Sequence, residues 1–65
     1  MPAKPTGTNE IFVEFVVQGA VVKATAIDSK TGTEASIMGP ANAPRAALQA
    51  AAVRKLDYVL KKKSG

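Results

Sequence analysis

Ile11-Phe12-Val13-Glu14-Phe15-Val16-Val17 decides the fold: its odd positions are all apolar, while the even set contains Glu14 and is flanked by Glu10. This is the period-two alternation of a strand. It opens a longer stretch, Glu10 to Gly39, that reads as a three-stranded antiparallel meander. A reversal at Gln18-Gly19 sets Val17 opposite Ala20, Phe15 opposite Val22, Val13 opposite Ala24 and Ile11 opposite Ala26, so two apolar sets share one face. Glu14 then meets Lys23 on the other face, and opposite charges directly across a pair contribute roughly 0.2–1 kcal/mol. Slipping this alignment by one residue would lose both matches. Gly19 can take the positive φ that a two-residue turn needs, whereas Gln18 is a less usual partner than Asn or Asp. A longer loop or a bulge stays open.

The second reversal, Asp28-Ser29-Lys30-Thr31-Gly32-Thr33, has Asp and Ser placed for local side-chain caps and Gly32 where a left-handed residue closes a loop. Closing it on Asp28 and Thr33 puts Ala35 beside Ala26 and Ile37 beside Ala24, which extends the same apolar face. Gly39-Pro40 is expected to end the third strand, because Pro cannot donate to a ladder.

Ala41-Asn42-Ala43-Pro44 is a helix-start signal, with Asn42 or Ala43 as the cap. A helix is expected from Ala43 to about Lys62, with high propensity through its alanines. At about 100° per residue, Leu48, Ala52, Leu56, Val59 and Leu60 form one stripe with Ala51 at its edge, and this stripe lies on the sheet. Small alanines on both elements allow close approach, and which helix end meets which strand stays open. The fold class is thus α+β: a meander packed on one C-terminal helix, β-β-β-α, in two layers. Residues 1–9, with two prolines and a glycine, read as a flexible lead-in, residues 10–62 as the single domain, and residues 63–65 as a frayed end.

A 65-residue domain sits at the lower limit of independent stability. The chain has no Cys and no His, which removes disulfides, zinc sites of the usual kind, thiol chemistry and imidazole acid–base chemistry. Self-association is then the most natural source of extra stability, which makes a homo-oligomer the expected state. With 46% hydrophobic residues the chain can pack a core, yet no run is long enough to span a membrane. Met1-Pro2-Ala3-Lys4-Pro5-Thr6-Gly7-Thr8 lacks the apolar region of a signal peptide, so the protein is expected to be complete and cytoplasmic. A net charge of +4 is ordinary for a small soluble domain. Its placement is more informative: Glu10, Glu14 and Glu34 fall on the outer sheet face, and most of the bases lie from Arg45 onward.

The outer face carries Phe12, Val16, Val21, Ile27 and Met38 among Glu10, Glu14, Lys23, Thr25, Ser36 and Glu34, with Val16 expected opposite Val21. One helix cannot cover both sides of a sheet, so this set faces water or a partner. The functional reading is a homodimer packed sheet on sheet, against the plainer one of a half-solvated sheet with scattered apolar residues. Pairing along the edge of the first or third strand is a second route to a dimer. On the helix, Arg54, Lys55, Tyr58, Lys61 and Lys62 form a basic side with an aromatic among them, a pattern that can track phosphates. Asp57 interrupts it and can pair with Lys61, so nucleic-acid contact is the alternative rather than the leading reading. Arg45 opposes the helix dipole at the helix start. It either meets an acid or anion or stays solvated.

Gly32 and Gly39 lack the Lys-Ser/Thr and the strand–loop–helix setting of a phosphate loop. Asp28 and Glu34 near one loop, and Glu10 and Glu14 along one strand, have no second group placed for acid–base work in a cleft. Asp28 reads as a loop cap. No catalytic residue, cofactor site or metal site is expected, and the chain reads as a non-enzyme.

Several segments carry a family likeness: Ala26-Ile27-Asp28, Thr31-Gly32-Thr33-Glu34, Gly39-Pro40-Ala41, Ala43-Pro44-Arg45, and Arg54-Lys55-Leu56 with Tyr58-Val59-Leu60. Together they resemble a family of short bacterial proteins classed as a domain of unknown function. The likeness covers roughly residues 10–62, and the Asp-x-x-Thr-Gly-Thr-Glu to Gly-Pro-Ala spacing is its most specific feature. It implies a bacterial origin and no particular mechanism. The β-β-β-α order also resembles the latter part of double-stranded-RNA-binding domains, but the leading helix is missing and Arg45 stands alone where those domains cluster lysines.

Overall fold

The structure, a computed structural model, describes residues 10–64, with side chains through Lys62. Strands β1 (Ile11–Gln18), β2 (Val21–Asp28) and β3 (Glu34–Pro40) form one antiparallel sheet in the order β1-β2-β3, followed by helix α1 (Arg45–Ser64). The lead-in at residues 1–9 and Gly65 lie outside the described residues.

The β2–β3 alignment is the expected one: Ala26 faces Ala35, Ala24 faces Ile37, and the Asp28 N–H donates to the Thr33 carbonyl at 2.8 Å. The loop closes with Gly32 at φ +77° and its N–H on the Asp28 carbonyl.

The β1–β2 alignment differs. Phe15 faces Ala24, Val13 faces Ala26, Val17 faces Val22 and Ile11 faces Asp28, each two residues from the expected partner. The turn residues are Gly19-Ala20 rather than Gln18-Gly19. The reason lies in backbone sterics: only Gly19 takes a positive φ, +63°, and it occupies the first turn position while Ala20 stays at negative φ. This is the arrangement of a type II′ turn, which wants glycine first and suits the twist of a hairpin. An even shift keeps every side chain on its face, so the division into inner and outer sets survives. The Glu14–Lys23 pair does not: Glu14 faces Thr25 and Lys23 faces Val16.

The third strand ends at Gly39-Pro40, as expected, with both residues paired to β2. Pro40 is tolerated because its missing N–H would point to the open edge of β3, away from β2. Gly39 lies close beneath the helix: a Cβ on it would lie 2.5 Å from Leu48 Cδ2, so the leucine side chain would have to shift. That contact places the start of α1 over the Gly39 end of the sheet. The Pro44 carbonyl accepts the first helical bonds, from Ala47 and Leu48, so Pro44 caps the helix rather than Asn42 or Ala43.

The core is Val22, Ala24, Ala26, Ala35, Leu48, Ala52 and Leu56, with Val13, Phe15, Ile37, Val59 and Leu60 packed around it. Four of the seven are alanines, and only Leu56 and Val22 are large side chains buried outright. The layers can approach closely, and little apolar area is removed from water per residue. Helix α1 rides over β3 and β2 and touches β1 least.

Candidate functional site

Phe12, Val16, Val21, Ile27 and Met38 do share the outer face, in rows the ladder defines: Phe12-Ile27-Glu34, Glu14-Thr25-Ser36, Val16-Lys23-Met38 and Gln18-Val21-Pro40. Val16 is not opposite Val21, because the turn at Gly19-Ala20 moves Lys23 into that place. The face is therefore divided. A polar row crosses its middle, where the Thr25 and Ser36 hydroxyls are hydrogen-bonded at 2.9 Å, and Lys23 separates Val16 from Met38.

The exposed large apolar residues gather along one strand. Ile11 (40%), Phe12 (50%), Val16 (47%) and Val17 (58%) all belong to β1, beside Met38 and Tyr58 elsewhere. Phe12 and Val16 point outward, while Ile11 and Val17 sit on the inner face, which α1 does not reach at this edge. The sequence pattern alone assigns Ile11 and Val17 to covered positions. The missed signal is that β1 is apolar on both faces whereas the stripe of α1 is narrow, with Leu48, Ala52 and Leu56 as its buried members.

Backbone polarity sharpens the contrast between the two edges. The bond from the Ser29 N–H to the Glu10 carbonyl fixes the phase of the β1–β2 ladder. Even-numbered residues of β1 bond to β2, so the N–H and C=O groups of Ile11, Val13, Phe15 and Val17 point to the open edge. Among the described residues none of these groups has a partner. On β3 the even-numbered residues point outward by the same reasoning, and that edge is blunted. Lys55 Nζ donates to the Ser36 carbonyl at 2.8 Å, the Ala43 N–H donates to the Pro40 carbonyl at 3.0 Å, and Pro40 has no N–H.

The five residues of the basic helix side, Arg54, Lys55, Tyr58, Lys61 and Lys62, are all exposed and share one side of α1. Two of the cations are engaged: Lys55 with Ser36, and Lys61 with Asp57 at 3.5 Å as the spacing predicts. Lys62 lies 5.7 Å from the centre of the Tyr58 ring, a cation–π contact. Arg45 is not simply solvated. Its guanidinium stands 5.6 Å from the centre of the Phe15 ring and donates to the Ala41 carbonyl at 3.5 Å, so it roofs part of the inner face near β1. Asp28, 3% exposed, accepts from the Lys30 N–H at 3.0 Å and the Thr31 hydroxyl at 3.2 Å, which makes it a loop cap.

Among the described residues no group of three or more Asp or Glu is placed to hold a metal, and no helix is long and apolar enough to cross a membrane. A family model described as Domain of unknown function (DUF6898) matches residues 8–63. No curated protein and no solved structure matches the chain significantly.

Proposed function

We propose that this chain, which belongs to the DUF6898 family of unknown function, is a small non-catalytic interaction module that self-associates through the open side of its sheet. The observation that carries this reading is the run of exposed apolar side chains along β1, Phe12 and Val16 on the outer face and Ile11 and Val17 on the inner. Exposed apolar surface of this kind marks contact sites when it is contiguous along one element. The thin alanine core supports the same reading, because a domain of this size gains needed stability by burying a further face. The resemblance to short bacterial proteins, and an N-terminal stretch without the apolar region of a signal peptide, support placing it in a bacterial cytosol.

The test is the absolute mass in solution across a concentration series. The parent should be dimeric at tens of micromolar, and Phe12→Glu, at a half-exposed position outside the core, should shift it to monomer and lower its melting temperature. A parent that stays monomeric throughout the series refutes the reading.

A second reading, nucleic-acid contact through Arg54, Lys55, Tyr58, Lys61 and Lys62, draws support from their shared exposed helix side. It is the weaker of the two because Lys55 and Lys61 already have partners.

A further inference from the structure

Strand β1 has the composition of a strand buried on both faces, yet it occupies an edge. Antiparallel strands with one wet face alternate, whereas near-continuous apolar runs belong to sheet interiors. Glu14 is the one charged side chain in the eight residues of β1. We propose that a second copy of this chain adds antiparallel along the open edge of β1, with Glu14 on the two-fold axis, to give a continuous six-stranded sheet β3-β2-β1-β1-β2-β3. This inference rests on the reading of the chain as self-associating, and it specifies the surface and the alignment.

The ladder phase limits the choices. Since Ile11, Val13, Phe15 and Val17 carry the outward N–H and C=O groups, odd residues must pair with odd residues, and the axis falls at Val13, Glu14 or Phe15. With the axis at Glu14, Ile11 faces Val17 of the partner subunit and Val13 faces Phe15 of the partner subunit on the inner side. Phe12 faces Val16 of the partner subunit on the outer side. Every apolar residue of β1 then meets another, and all four outward residues are bonded, by about eight bonds. An axis at Val13 sets Phe12 against the partner's Glu14 and leaves Val17 beyond the ladder. An axis at Phe15 sets Val16 against the partner's Glu14 and leaves Ile11 unmatched.

The chosen alignment places Glu14 opposite its own copy, which is unfavourable by itself. Lys23 can offset this, because it stands one diagonal step from Glu14 on β2, within reach of a long side chain. In the single chain Lys23 makes no ion pair with Glu14, and in the dimer its side chain would have to turn toward the two facing carboxylates to balance their charge. A second copy is the fitting occupant because the β1 edge is complementary to itself, whereas the β3 edge is interrupted at Ser36 and Pro40 and carries no such match. With β3 blunted by Lys55, Pro40 and Ala43, strand addition closes at two copies instead of running on as a filament. The axis stands perpendicular to the sheet, so both helices lie on the same side and flank a channel floored by Val13 and Phe15 of both copies.

The sequence contains no cysteine, so single-cysteine variants report position without ambiguity. Glu14→Cys would sit at a non-hydrogen-bonded pair, where Cα atoms are about 4.5 Å apart and a disulfide can form. Mild oxidation should convert it to covalent dimer nearly completely, under conditions where Val13→Cys and Phe15→Cys yield little. Unoxidised, it should dimerise a few-fold more tightly than the parent, since the facing carboxylates are gone. Val17→Pro removes an outward N–H without touching the bonds to β2, and should dissociate the dimer while the helical circular-dichroism signal is retained. Cross-linking that is faster at Val13 or Phe15, or at the mid-face variant Thr25→Cys, overturns the proposed arrangement, as does an unchanged mass for Val17→Pro. In those cases self-association itself stands. A parent monomeric at all concentrations overturns both.

Discussion

Gly39→Ala measures how closely the helix and sheet layers approach. The added Cβ would lie 2.5 Å from Leu48 Cδ2, whereas carbon atoms in contact prefer about 3.5–4.0 Å, so one of them must move by about 1 Å. Leu48 is buried in the core cluster with Val22 and Ala52, and its methyl cannot swing into water without vacating that cluster. Overpacking of this kind costs about 1–3 kcal/mol. Against it, alanine in a strand interior recovers about 0.5–1 kcal/mol relative to glycine. The net expectation is a loss of about 0–2.5 kcal/mol, from a total that for this length is about 3–10 kcal/mol. Leu48→Ala alone should lose about 2–5 kcal/mol through the cavity it leaves. In the double variant the new methyl group partly fills that cavity, so the combined loss should fall short of the sum by about 1 kcal/mol or more. Urea melts of the four proteins at one fixed concentration, with mass monitored, give the cycle. A stabilising Gly39→Ala, or a cycle additive within about 0.5 kcal/mol, would refute the close approach.

Gly19→Ala should destabilise by about 1–2 kcal/mol in the same melts, although nothing lies within 4 Å of its would-be Cβ, because the penalty comes from φ +63° alone. Asp28→Ala removes the acceptor of the Lys30 N–H while the Thr31 hydroxyl keeps Thr33, and should cost about 0.5–1.5 kcal/mol, with faster amide exchange confined to the Asp28–Thr33 loop. Leu56→Ala empties the largest fully buried site and should lower stability by about 2–5 kcal/mol in the same melts. For the basic helix side, a gel-retardation series at low and rising salt is the check. Binding that weakens steeply with salt and is lost in a combined Arg54→Ala and Lys62→Ala variant would favour nucleic-acid contact, and no retardation at low salt removes it.

Element order and the two sheet faces were legible because apolar parity is a strong signal: Phe15 packs on the core and Phe12 does not. The β1–β2 alignment was not, since a two-residue shift changes no side chain's face and so leaves no trace in the pattern. What decides it is backbone conformation at Gly19, and the sequence permits that glycine in either turn position. Gly39-Pro40 reads as the end of the third strand, whereas its pairing to β2 follows only from the edge position of β3, where the proline is harmless and the glycine admits Leu48. The Lys55 bond to Ser36 joins residues far apart in sequence and depends on where α1 crosses, which no periodicity encodes. The exposure of Ile11 and Val17 was hidden for the same reason: a stripe on a helix tells which side faces the sheet and not how many strands it spans.

Those two hidden features belong together. A helix that packs Leu48, Ala52 and Leu56 on the alanines of the sheet settles close over β2 and β3, and the bond from Lys55 to Ser36 lies on the β3 side. The closer it sits to that side, the more of β1 it leaves bare, so one placement of α1 both blunts one edge and uncovers the other. Folding and association then become a single linked equilibrium, since any partner that covers β1 stabilises the chain in proportion to its concentration. Covering about half of each exposed side chain among Ile11, Phe12, Val16 and Val17 is worth about 1 kcal/mol apiece, or about 8 kcal/mol over two copies. Association itself costs about 4–15 kcal/mol. The apolar term alone therefore falls within the range of the cost, and the backbone bonds of the β1 edge, at about 1 kcal/mol each, decide the balance. An edge that kept its four outward residues unblocked is what such a balance requires.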